Sequence, residues 1–203
     1  MKNEKKTYHH KNLRPVLLEE AAKMITEGGV ASVTMRELGK RIGVSRGAAY
    51  RHFSDKDALL MSVSASGFEK LGREMQDVVK NSDLSYEAQL LNLGKIYLQF
   101  AIENPAHYRL MYGKEALSRW NQPVLKNSAD GLFDLLFDTI QGFQKEIDNQ
   151  QKDTRTLVYV TWSAVHGLAS ILIEEHILVE VEVKPIIDEV MQTVINGLKA
   201  PSQ

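Results

Sequence analysis

Apolar residues recur at three- and four-residue intervals along almost the whole chain, the period of helices that bury one face. The run from Asn12 to Glu27 puts Leu13, Val16, Leu17, Ala21, Met24 and Ile25 on one side, with Gly28 and Gly29 placed to end a first helix. Thr34 and Glu37 have the spacing of a capping box and open a second, short helix that ends at Gly43. Ser45 is the N-cap of a third, from Arg46 to about Phe53, and Ser54 with Asp57 caps a fourth. That fourth helix, from about Asp55 to Asn81, carries Leu59, Leu60, Val63, Phe68, Leu71, Met75 and Val78 and is expected to bridge two domains. A fifth helix spans Tyr86 to Glu103, and Pro105 opens a sixth through Tyr112, because proline fits a first helical turn but not an interior. After a connector from Leu117 to Pro123, helices over Val124 to Ile147, Asp153 to Ile177 and Lys184 to Leu198 complete an all-α chain of about nine helices. The stretch from Ile177 to Val183 alternates like a strand but reads as a helix end and a loop.

Composition narrows the chemistry. With 203 residues, 43% of them hydrophobic, the chain is long enough for a small module and a larger one, read as residues 1–60 and 61–203. It contains no cysteine, which removes disulfides, thiolate switches and zinc–thiolate sites. No uninterrupted run of eighteen apolar residues and no secretory signal stand in it, so the expected location is the cytoplasm, without a membrane partner. The net charge of −1 hides a division. Residues 1–60 hold 12 Lys and Arg against 7 Asp and Glu, leaving 13 against 19 for the rest, so a head of +5 stands on a body of −6. That is the balance of a polyanion-binding module on a solvated body, although charge alone also permits a chance excess on a solvated face.

The segment MRELGKRIGVSRGAAYRHFS, Met35 to Ser54, has helix, tight turn and helix at the spacing of a helix-turn-helix. Gly39 and Ala49 fall where the two helices would touch, Leu38 and Ile42 face the core, and Gly43 supplies the turn conformation. An ordinary helical corner would need no special exposed chemistry, yet Thr34, Arg36, Ser45, Arg46, Tyr50, Arg51, His52 and Lys56 crowd here. From Ala22 through Leu60 the chain resembles the N-terminal domain of the TetR family, in Val33–Leu38, Ile42–Tyr50 and His52–Leu59. The resemblance implies DNA contact by Thr34, Arg36, Ser45, Arg46, Gly47 and Ala48, backbone contact by Tyr50, His52 and Lys56, and a buried Phe53. Ala49 stands where the family often has leucine. The arm with Lys2, Lys5, Lys6, His9, His10 and Lys11 could add phosphate contacts or be without function, and its adjacent histidines lack a third ligand for a metal.

In the second half, Trp162, His166 and Gly167 form a W-x-x-x-H-G pattern that, with Tyr97 to Gly113, resembles a C-terminal domain found in one branch of the same family. Tyr97, Phe100, Tyr108, Met111, Phe133, Phe137, Trp162 and His166, with Trp120 in the connector, converge as large side chains able to line an apolar effector pocket. Solid core fits each of them individually better, and a structural role for His166 is slightly favoured. The last two helices carry more apolar surface than one bundle covers, and the resemblance implies that they pair with their mates in a homodimer. The leading expectation is a ligand-responsive repressor acting on palindromic double-stranded DNA, with a small hydrophobic effector and no cofactor. The alternative is an architectural DNA-binding protein or an activator without an effector. An enzyme is the weakest reading, since no nucleophile–base pair, phosphate loop or H-x-x-x-H cluster appears.

Overall fold

The computed structural model describes residues 13–113, 122–149, 151–174 and 182–201. The N-terminal lysines and histidines, Trp120 and most of the connector, and all of the alternating stretch but Glu182 and Val183 lie outside them. Among the described residues the chain is all helical and divides after Val63 into two compact units. Helices α1 (Leu13–Ser32), α2 (Met35–Arg41) and α3 (Arg46–Tyr50) form the first; α4 (Lys56–Val79) starts there and runs on into the second. The second unit is completed by α5 (Tyr86–Glu103), α6 (Pro105–Tyr112), α7 (Pro123–Glu146), α8 (Thr154–Ile173) and α9 (Val183–Lys199).

The first unit closes over Leu17, Ala21, Met24, Val33, Leu38, Ala49, Phe53, Leu59 and Val63, all buried. The helix expected to end at Glu27 is interrupted at Gly28 and Gly29 and resumes to Ser32; Gly29 has φ 70° and ψ 176°, a backbone that side chains disfavour. Ser32 Oγ stitches the interruption by donating to the carbonyls of Met24 and Gly29. The cap of α4 differs from expectation: Asp55 Oδ1 accepts the Ala58 N–H at 2.7 Å, while Ser54 Oγ merely donates to Asp55. The carboxylate is the stronger acceptor and stands one residue nearer the helix, so it takes the first-turn donor.

In the second unit α5 is the central helix, packed against α7, α8 and α9. Their junction is a cluster of Leu90, Ile140, Phe143, Leu157, Val158, Ile195 and Leu198, with Phe133 and Phe137 packed against it. Asp153 caps α8 through the Thr156 N–H, and the buried Gln144 amide donates to the carbonyls of Asn149 and Lys152, fixing the turn between α7 and α8. α8 has the length and apolar composition of a membrane span, but it packs within this bundle. Its remaining apolar surface is the exposed Tyr159, Val160 and Ile171. On α9, Met191, Ile195 and Leu198 are buried within the subunit's own core.

Candidate functional site

Two places concentrate chemistry, one in each unit. In the first, α2 and α3 are held at a close turn. A Cβ on Gly39 would lie 3.1 Å from the Val44 carbonyl, so any side chain there would press the turn before α3 away from α2 by a few tenths of an ångström. Gly43 has φ +73° and open space around it, so the turn requires its conformational freedom and not its small size. Both helix starts are capped as expected: Thr34 Oγ1 accepts the Glu37 N–H and Ser45 Oγ the Ala48 N–H, each at 3.1 Å. The two hydroxyls thereby accept, and each keeps its own proton for an external acceptor. The Glu37 carboxylate of the expected box lies instead beside Lys40 and Arg41.

Arg41 is committed internally, to Glu27 at 2.7 Å and Glu20 at 3.4 Å, and the Glu27 hydrogen bond raises its pKa. The exposed face is left to Arg36, Ser45, Arg46, Gly47, Tyr50, Arg51 and His52. The Arg46 guanidinium lies 5.2 Å from the Tyr50 ring centre and donates to the Tyr50 hydroxyl, a pairing that extends both side chains along α3. Two residues sit differently from the rest. The Ala48 side chain is buried, and the Lys56 ammonium donates to the Val30 carbonyl at 2.6 Å, anchoring the end of α1. Phe53 is buried, with the Arg14 guanidinium over its ring.

The second place is a cavity of about 300 Å³ among α4 to α9 in the second unit. Leu90, Leu93, Gly94, Leu132, Leu136, Val158, Val165 and Met191 make most of its wall apolar, with Tyr97, Tyr112, Phe133, Tyr159 and Trp162 as the aromatic part. Of the eight side chains singled out in the sequence, Tyr97, Phe133 and Trp162 line it. Tyr108 and His166 stand behind Tyr97: the Tyr108 hydroxyl is 2.6 Å and the Tyr97 hydroxyl 3.0 Å from His166 Nδ1, and Trp162 Nε1 donates to the Tyr97 hydroxyl at 3.3 Å. A neutral imidazole carrying its proton on Nε2 accepts one of these hydroxyls. Burial pushes the Tyr108 phenol up to about 12 and raises those of Tyr97 and Tyr112 too, so all three remain protonated donors, while burial lowers the pKa of His166.

Phe100, Met111 and Phe137 are not in the cavity wall. Phe100 and Met111 are 1% exposed within the core, Met111 packed so tightly on α4 that a Cβ on Gly67 would come within 2.6 Å of its sulfur, and Phe137 packs on the α5–α7–α8–α9 cluster. Sequence reasoning missed Tyr112, taken only as a helix end, and Arg155, Tyr159 and Thr161. For Arg155 and Tyr159 the signal was available, since positions 155, 158, 159 and 165 share one face of α8 with Trp162 at helical spacing. Among the described residues no group of acidic, histidine or cysteine side chains could hold a metal.

Residues 17–63 match the model of bacterial regulatory proteins of the tetR family, and residues 90–194 that of the tetracyclin repressor-like C-terminal domain. The chain is 23% identical to an uncharacterized HTH-type transcriptional regulator, YobS of Bacillus subtilis, over 90% of its length and 91% of the relative's. It is 34% identical to the nucleoid occlusion factor SlmA of Aliivibrio fischeri over 50% of its length and 52% of that protein's. A solved protein of unknown function from Rhodococcus sp. RHA1 superposes with a TM-score of 0.81 at 26% identity, covering 97% of this chain and 100% of the other. With both of its units matched, the chain belongs to the TetR family of DNA-binding regulators.

Proposed function

We propose that this regulator is a ligand-responsive repressor that acts as a homodimer on a palindromic operator. The observation that carries the ligand part is the apolar cavity of about 300 Å³ in the second unit, with few polar groups in its wall. The DNA face is formed by Thr34, Arg36, Ser45, Arg46, Gly47, Tyr50 and His52 around α3, with Arg46 at the leading end where base edges are read. Ala48 and Lys56 complete the proposed face, Ala48 at the head of α3 and Lys56 through the ammonium protons that its bond to the Val30 carbonyl leaves over. A ligand that prefers another arrangement of the second unit lowers DNA affinity by that difference, and α4, continuous from one unit into the other, is the element that carries it. The cytoplasm is the proposed location.

Selecting bound sequences from randomised duplexes tests the DNA part. Two inverted half-sites about one helical turn apart are expected, with Arg46→Ala weakening binding and relaxing the preference at one position of each half-site. Selection of no sequence, or of a single unpaired half-site, would overturn it. A second reading, a DNA-binding protein of architectural role without an effector, is supported by the likeness to a nucleoid occlusion factor. Screening neutral apolar compounds by thermal shift and then by DNA release separates the two readings, because only the first predicts a compound that does both.

A further inference from the structure

A cavity of roughly 150 Å³ holds a benzene ring, so the one in the second unit, about 300 Å³, has room for a two-ring apolar body. Deep in its wall the polar groups are engaged with one another. The Tyr97 hydroxyl is shared among Tyr108, Tyr112, Trp162 and His166, and the Thr161 hydroxyl oxygen is buried beyond a ligand's reach. The exposed polar side chains of the wall are Asp130 of α7 and Arg155 and Tyr159 of α8. The Arg155 guanidinium stands 5.9 Å from the ring centre of Phe133, and the Tyr159 ring 5.7 Å from it, so cation and phenol flank one aromatic of the wall. Among the described residues no carboxylate forms an ion pair with Arg155. The one nearest in sequence, Asp153, accepts the Thr156 N–H and hydroxyl at 2.8 and 2.7 Å. With Asp130 and Asp153 there are two carboxylates for one guanidinium around this rim, which denies a ligand anion any net attraction.

We infer that Arg155 anchors the outer end of the ligand: a neutral two-ring body enters apolar end first and leaves a carbonyl oxygen at the rim, where it accepts from the guanidinium. The inference rests on the reading of the cavity as an effector pocket. A carbonyl gains the charge-assisted hydrogen bond without bringing a charge toward the two carboxylates, and a hydrocarbon of the same shape gains nothing from Arg155.

The test uses 2-acetylnaphthalene, its alkene isostere 2-isopropenylnaphthalene and the anion 2-naphthoate, in equilibrium dialysis against the full-length protein and its Arg155→Met and Tyr159→Phe variants. Arg155→Met keeps the aliphatic stem and removes the donors, so it should weaken the ketone roughly three- to tenfold and leave the alkene within about twofold. Tyr159→Phe should change the ratio of the two by less than about twofold, and 2-naphthoate should bind wild type more weakly than the ketone. An unchanged alkene also shows that Arg155→Met is folded. Equal changes for ketone and alkene in Arg155→Met would overturn the anchor and leave the pocket standing. A loss of the ketone confined to Tyr159→Phe would give the bond to the phenol, and tighter binding of naphthoate than of the ketone would make the ligand an anion; either overturns the inference. Failure of both ketone and alkene to bind wild type would remove the pocket and the anchor with it.

Discussion

Tyr97 joins three helices through one oxygen, since its hydroxyl meets Trp162 and His166 of α8 and Tyr108 of α6. Tyr97→Phe removes that oxygen, leaves the Trp162 N–H unpaired and should cost about 1–2 kcal/mol in urea unfolding, whereas Tyr86→Phe, on the exposed start of α5, should be neutral. Two half-buried imidazoles give a second expectation. Burial lowers the pKa of His107, helped by nearby Lys70, and burial alone lowers that of His166, both from 6.5. The unfolded chain therefore takes up protons that the native state refuses. Stability is fully present above about pH 6.5 and is lost as pH falls through the depressed native values. Urea midpoints measured from pH 7.5 to 5 should fall, and less steeply in a His107→Asn, His166→Gln double variant; a flat wild-type profile would contradict this.

At the level of elements, the helix-turn-helix depends on two glycines for different reasons. Gly43→Ala forces a side chain into a left-handed backbone with no clash to relieve and should cost about 1 kcal/mol, with Gly43→Asn costing less, in thermal unfolding. Gly39→Ala presses a Cβ on the rigid Val44 carbonyl and should loosen the turn itself, seen as a larger loss of DNA affinity than of stability. These elements were legible in the sequence because their signals are local: Thr34 and Ser45 as caps, Gly43 as the turn, Pro105 at a helix start. The cap of α4 was less so, because Ser54, Asp55 and Asp57 all qualify and only the folded backbone decides that Asp55 reaches the Ala58 N–H. The cavity was legible only in part. Helical spacing says which residues share a face, but not whether that face meets a void or a neighbour, so Phe100 and Met111 looked like Tyr97 until packing separated them.

For the whole molecule, the apolar surface that the second unit leaves uncovered is concentrated on α8, where Tyr159, Val160 and Ile171 are 50%, 55% and 46% exposed. In a homodimer paired through α8, as the family resemblance implies, Val160→Glu with Ile171→Glu places unpaired carboxylates in a desolvated contact. A penalty of about 3 kcal/mol would weaken the dimer roughly a hundredfold. Sedimentation should show monomers with unchanged helicity, and a persisting dimer would move the interface elsewhere. Trp162 has a consequence of another kind. The chain holds two tryptophans, and this one has its indole N–H on the Tyr97 hydroxyl, its ring 5.5 Å from His166 and its face in the cavity wall. With Trp120 replaced by phenylalanine, the protein becomes its own single-emitter fluorimeter. Anything that enters the cavity displaces solvent from that indole and shifts its emission, and protonation of His166 dims it by quenching, so occupancy and pH are read separately in one cuvette, as colour and as brightness.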